Sequence, residues 1–77
     1  MKINIELMGS LVDYLPDSDR GQLVLNLKDE STITDLLNYL KIKRRVIVAV
    51  NGDEEKGMEH VLSEGDEVLV FTVISGG

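Results

Sequence analysis

The chain closes on Glu67-Val68-Leu69-Val70-Phe71-Thr72-Val73-Ile74-Ser75-Gly76-Gly77. This run constrains the fold more than any other stretch. β-Branched and aromatic residues favour a strand. Here Val68, Val70 and Thr72 alternate with Leu69, Phe71 and Val73, so both sides of the strand are apolar. A strand of that kind normally belongs to a sheet covered on both faces. The run then passes through Ser75 into Gly76-Gly77, which weaken a strand and pack nothing. Two residues without side chains make a thin thread that can enter a narrow channel and adopt backbone angles other residues avoid. Extended, the residues from Ile74 to Gly77 reach roughly 13 Å, enough to carry a carboxylate away from a folded body. Taken alone, such an end also fits a frayed terminus.

Only one segment can supply a substantial helix to cover such a sheet. Ile33, Leu36, Leu37 and Leu40 recur at helical spacing and form a single apolar stripe. Thr32 is a good N-cap, and Asp35 stands three residues on, where its charge favours the helix start. The flanking segments alternate with period two, as half-buried strands do. These are Ile3, Ile5 and Leu7; then Leu23, Leu25 and Leu27; then the run Val46 to Val50. Asn51-Gly52 is a strong hairpin-turn dipeptide. Residues 53–57 are polar enough for a short edge strand. Met58, Val61 and Leu62 are expected to anchor a helical turn. Between the first two strands, Ser10, Asp13, Leu11, Tyr14 and Leu15 allow a short helix that Pro16 ends. The order predicts one domain, residues 1–77, of the α+β class: a mixed sheet of four to five strands with one main helix across one face. The first and last strands are expected to be parallel central neighbours, with the helix in the crossover between them.

Composition excludes several function classes. The net charge is −6, from 14 acidic and 8 basic residues, whereas nucleic-acid binders carry a basic footprint. Without cysteine there is no thiol chemistry and no Cys₄ metal site. The N-terminus lacks the apolar core of a signal peptide, and no run approaches membrane-spanning length, so a cytoplasmic protein is expected. Asp17-x-Asp19-x-Gly21 resembles the start of a calcium loop but lacks the remaining ligands. The reading there is turn chemistry, and no metal site is expected. His60 has no nucleophile or acid at a telling spacing and reads as a surface residue. Lys41, Lys43, Arg44 and Arg45 follow the helix, where basic charge complements the helix C-terminus. No paired nucleophile and base, phosphate-binding glycine loop or metal constellation is present, so the chain is not expected to be an enzyme by itself.

Four motifs in sequence order carry a resemblance. They are Thr32-Ile33-x-Asp35-Leu36-Leu37, Val48-Ala49-Val50-Asn51-Gly52, Leu62-x-x-Gly65-Asp66-x-Val68, and Val73-Ile74-Ser75-Gly76-Gly77. At these spacings, over nearly the whole chain, they resemble the β-grasp, ubiquitin-like sulfur carriers of the MoaD/ThiS family. The resemblance implies a β-grasp roll. It also implies that an E1-like adenylyltransferase spends ATP to adenylate the C-terminal glycine, here Gly77, which then becomes a thiocarboxylate. A sulfur-accepting synthase would be the second partner, of the molybdopterin synthase large-subunit or thiazole synthase type. Gly76 and Ser75 would form the slim tail. No stably bound cofactor is implied, since the ATP belongs to the partner. The chemistry is coherent, because a terminal carboxylate is ionised at neutral pH and is a poor electrophile until activated. With Gly77 last, no processing is expected. Residues 11–16 look more like the molybdopterin branch. That branch often has Pro-Pro where this chain has Thr72-Val73, and the tail looks more like the thiamine branch.

A ubiquitin-like modifier would use the same Gly77 carboxylate to form isopeptide bonds with lysines, so the tail does not separate the two functions. A non-covalent interaction module is the third reading. For any of them, one helix covers one face of the sheet. The resemblance places Val46, Val48, Val68 and Val70 under the helix. Ile47, Leu69 and Phe71 are then left on the open face as the expected partner-binding patch.

Overall fold

The computed structural model describes residues 1–53 and 57–72. Four strands form one mixed sheet: β1 (Lys2–Leu7), β2 (Gln22–Asn26), β3 (Ile47–Val50) and β4 (Glu67–Phe71), in the order β2-β1-β4-β3. As expected, β1 and β4 are parallel neighbours at the centre, with Ile5 opposite Val68 and Leu7 opposite Val70. The two outer pairings are antiparallel. Helix α1 (Ile33–Leu40) lies in the crossover between β1 and β4.

Helix α1 starts and stops for local reasons. Asp35 N–H donates to Thr32 Oγ1 at 3.2 Å, while Thr32 N–H donates to Asp35 Oδ2 at 2.9 Å, a complete capping box. Ile33, Leu36 and Leu40 are buried along one stripe. At the other end Lys41 takes the left-handed conformation, with φ 61°, and Ile42 N–H returns to Leu37 O at 3.0 Å. This closure lets Ile42 drop its side chain into the core. Glycine usually fills the left-handed position because a Cβ is strained there. Lys41→Gly is therefore expected to raise stability by about 0.5–1 kcal/mol, read as a higher Tm in thermal denaturation.

The core lies on the helix side of the sheet. Ile3, Ile5 and Leu7 of β1 meet Val46, Val48, Val50, Val68 and Val70 there, together with the stripe of α1. Leu11 and Leu15 join the same core. Their segment is a 3₁₀ helix, Gly9–Tyr14, rather than an α-helix capped by Ser10. Met8 occupies the cap position without a side-chain hydrogen bond, and Ser10 lies inside the element. With Pro16 so close, the segment has room for little more than a turn, which the tighter 3₁₀ winding suits. The loop that follows needs glycine at position 21. There φ is 82°, and a Cβ would stand 2.3 Å from the Leu7 carbonyl oxygen.

Other expectations need correction. Leu62 is an anchor at 2% exposure, but Met58 and Val61 stay exposed at 43% and 48%. Their segment is a β-turn closed by His60 N–H to Gly57 O, not a helical turn. Val61 instead forms a bridge with Thr32 beside the start of α1. The expected edge strand after the Asn51-Gly52 turn shows only a bridge from Val50 to Asp53, and residues 54–56 lie outside the described residues. Among the described residues, no helix is long and apolar enough to cross a membrane.

Candidate functional site

Side chains on the open face follow from the register. Gln22, Glu6, Leu69 and Ala49 make one row across the four strands. Val24, Asn4 and Glu67 make the next row. Phe71 stands opposite Ile47 in the row nearest the end of β4. Over β1 these side chains are polar, Asn4 and Glu6, whereas Ala49, Leu69, Ile47 and Phe71 make an apolar group on β3 and β4 toward the end of β4. Ile47, Leu69 and Phe71 are half-buried and stand outside the core cluster, whereas Val46, Val48, Val68 and Val70 are inside it. Ala49 is 5% exposed, shielded on this same face. The 3₁₀ helix turns Leu11 into the core. An open hollow beside the patch is lined by Asn4, Glu6, Val24, Ala49 and Leu69, among others.

Strand β4 ends at Phe71, and Thr72 is the last described residue. Gly77, Gly76, Ser75, Ile74 and Val73 lie outside the described residues. The patch therefore adjoins the point where the chain leaves the sheet. The parallel β1–β4 pairing brings the first segment of the chain to the same end, where Met8 N–H donates to Val70 O at 3.0 Å.

At the opposite end of the sheet, two of the sequence motifs meet. Asn51 Nδ2–H donates to Asp66 Oδ1 at 3.1 Å, and Glu67 N–H donates to Asn51 Oδ1 at 2.9 Å. Asp66 Oδ2 in turn accepts from Ser63 N–H at 2.8 Å. Asn51 and Gly52 both have positive φ, 52° and 84°, as a two-residue hairpin turn requires. These residues clasp the β3 exit to the β4 entry, so their role is structural. Asn51→Ala should cost about 1–2 kcal/mol, because it removes both side-chain bonds and strains the left-handed position. Chemical denaturation should show the loss, with activation of the tail unaffected in the folded fraction.

The remaining sequence candidates stay apart from the patch. His60 is half-buried rather than a surface residue, and its carbonyl accepts from Ile33 N–H at 3.1 Å as α1 begins. Asp19 pairs through its backbone with Gln22, and among the described residues no cluster of His, Cys, Asp or Glu could hold a metal ion. Sequence reasoning did not foresee the clasp. The signal was present in Asn51 and Asp66, two hydrogen-bonding residues at the mouths of facing strands.

A family model, the ThiS family, matches residues 5–77. The chain belongs to this family. The match takes in nearly the whole protein and runs through the Gly-Gly end. No protein of curated function matches the sequence. Among solved structures, a Haloferax volcanii protein solved in solution superposes with a TM-score of 0.80 at 23% identity, covering 100% of this chain and 87% of that one. A putative molybdopterin converting factor, subunit 1, from Pyrococcus furiosus gives 0.79 at 19% identity, covering 96% and 99%. Small archaeal modifier protein 1 of H. volcanii gives 0.76 at 15% identity, covering 95% and 98%. These likenesses establish the ubiquitin-like β-grasp fold for this member of the MoaD/ThiS family. Members are small carrier proteins rather than catalysts, which work with an E1-like enzyme and a synthase.

Proposed function

We propose that this protein is a sulfur carrier acting through Gly77. The Gly77 carboxylate attacks the α-phosphorus of ATP on an E1-like adenylyltransferase, and pyrophosphate leaves. A sulfide equivalent then displaces AMP to give the thiocarboxylate, which passes its sulfur to a synthase acceptor in molybdopterin or thiamine-thiazole formation. The observation that carries this reading is the family match extending to Gly77 itself. The ATP is the partner's substrate, and the carrier holds no cofactor of its own. Ile47, Leu69 and Phe71 form the docking patch, because a half-exposed apolar cluster beside the exit of β4 suits a partner that must receive the tail. Gly76 and Ser75 keep the thread narrow within the partner's channel. The setting is the cytoplasm.

A second reading has one observation in its favour, the likeness to small archaeal modifier protein 1. In that case the activated Gly77 would acylate lysines of other proteins. Intact-mass analysis of the protein from its own cells separates the two. Replacement of one oxygen by sulfur at the terminus is expected for the carrier. Gly-Gly remnants on foreign lysines, with no sulfur-bearing form, would overturn it in favour of the modifier.

A further inference from the structure

Half of the basic side chains sit at one corner of the molecule. Lys41, Lys43, Arg44 and Arg45 are four of the eight, against 14 acidic residues in the chain. All four are exposed. Among the described residues the one ion pair joins the N-terminal ammonium to Asp29, so none of the four is neutralised there. Arg44 donates instead to Ser10 Oγ at 3.2 Å, which ties the corner to the 3₁₀ helix. Compensation of the α1 dipole accounts for Lys41 alone, because that effect fades within the last turn. Lys43, Arg44 and Arg45 lie beyond it.

The register puts this corner where the chain leaves the sheet. Ile47 opens β3 opposite Phe71, which closes β4 in the antiparallel pair. Residues 43–45 therefore stand at the same end as Thr72. Of the acidic residues at that end, Asp13 shares the 3₁₀ helix with Ser10 and Glu6 stands on β1 opposite Leu69, while Asp17 and Asp19 belong to the segment leading into β2, at the far edge of the sheet. The opposite end of β3 and β4 gathers Asp53, Glu64, Asp66 and Glu67, with Lys2 opening β1 beside them. The five residues of β4 separate the two ends by roughly 17 Å. That is about twice the screening length at physiological salt. A partner approaching one end thus responds to the local charge and not to the acidic net charge.

We propose that the corner formed by Lys41, Lys43, Arg44 and Arg45 steers the protein, tail end first, onto an acidic protein surface at the mouth of the activating enzyme. This rests on the reading of Gly77 as the activated terminus. Rim charges of this kind act on the rate of association, while the apolar patch acts on residence time. The acidic far end is repelled by the same surface, so the two ends together select one orientation.

The probe is the fraction of the cell's own extract that releases pyrophosphate from ATP in the presence of this protein, purified to homogeneity. Association is followed by stopped flow. Lys43→Glu with Arg45→Glu is compared with Lys2→Glu with Lys28→Glu, which changes the net charge equally but away from the corner. The first pair is expected to slow association by about tenfold or more at low salt, near 50 mM, and the second by less than about twofold. The difference should vanish near 500 mM salt, at about a 4 Å screening length. The neutral pair Lys43→Gln with Arg45→Gln should fall between, and serves if the reversed pair melts early. Equal rates for corner and control variants at low salt would overturn the steering while leaving activation at Gly77 standing. Failure of every extract fraction to activate the wild-type protein would overturn both readings.

Discussion

Deletion of Gly77, or addition of one residue after it, is expected to abolish adenylation while leaving the fold intact. An added residue moves the terminal carboxylate by roughly 3.5 Å. Displacements of about 1 Å at a reacting centre can already cost a hundredfold in rate. The loss of pyrophosphate release should therefore be at least that large. Among the described residues, every member of the core cluster falls at or before Val70, well short of the changed terminus. Thermal unfolding of the deletion and the extension should match the wild type. Normal activation of the extended protein would remove Gly77 as the covalent site, and with it the carrier and modifier readings together.

The second large effect separates the two faces of β4. Val70 is 0% exposed within the core, whereas the neighbouring Phe71 is half-buried outside it. Val70→Ala removes two buried methyl groups and should cost about 2 kcal/mol, a Tm drop on the order of 10 °C for a domain of this size. Phe71→Ala should leave the Tm nearly unchanged. It should weaken binding of the activating enzyme by about 2 kcal/mol or more, as expected for an aromatic anchor, or roughly thirtyfold in Kd. Calorimetry and titration of both variants check this. Unfolding by Phe71→Ala, with unchanged affinity per folded molecule, would mean that the open face is not the docking surface.

Where a local pattern and the tertiary environment agreed, the sequence was readable. The stripe Ile33, Leu36 and Leu40 and the Thr32–Asp35 cap are local features, and both appear in the structure as expected. The parallel pairing of β1 and β4 followed from a single helix in the crossover. The misses share a cause. Met58 and Val61 are apolar, yet only Leu62 of that group reaches the core, and no periodicity in so short a segment says which one will. Ser10 offered a cap, but the chain entered its turn two residues earlier, at Met8. Lys41 accepts a left-handed angle that propensity assigns to glycine, because Ile42 gains a core position by it. Three of the four motifs behind the family resemblance contain scaffold residues: the Thr32 cap, the Asn51–Asp66 clasp and the buried Leu62 and Val68. The fourth motif, Val73 to Gly77, carries the proposed chemistry. Charge placement was legible as composition only, since which end of the sheet Lys43 to Arg45 occupy is fixed by the β3–β4 register.

The central place of β4 also bears on how the molecule responds to mechanical load. A partner that draws on the tail pulls along the axis of β4, which is hydrogen-bonded on one side to β1 and on the other to β3. Backbone hydrogen bonds in a sheet lie across the strands, so such a pull shears both ladders instead of peeling them rung by rung. Force on an edge strand, drawn sideways, would open one bond at a time. Here the rungs on both sides must slip together, and Val68 and Val70 must leave the core in the same movement. The body of the protein can thus act as a firm anchor while its end is held, modified and withdrawn.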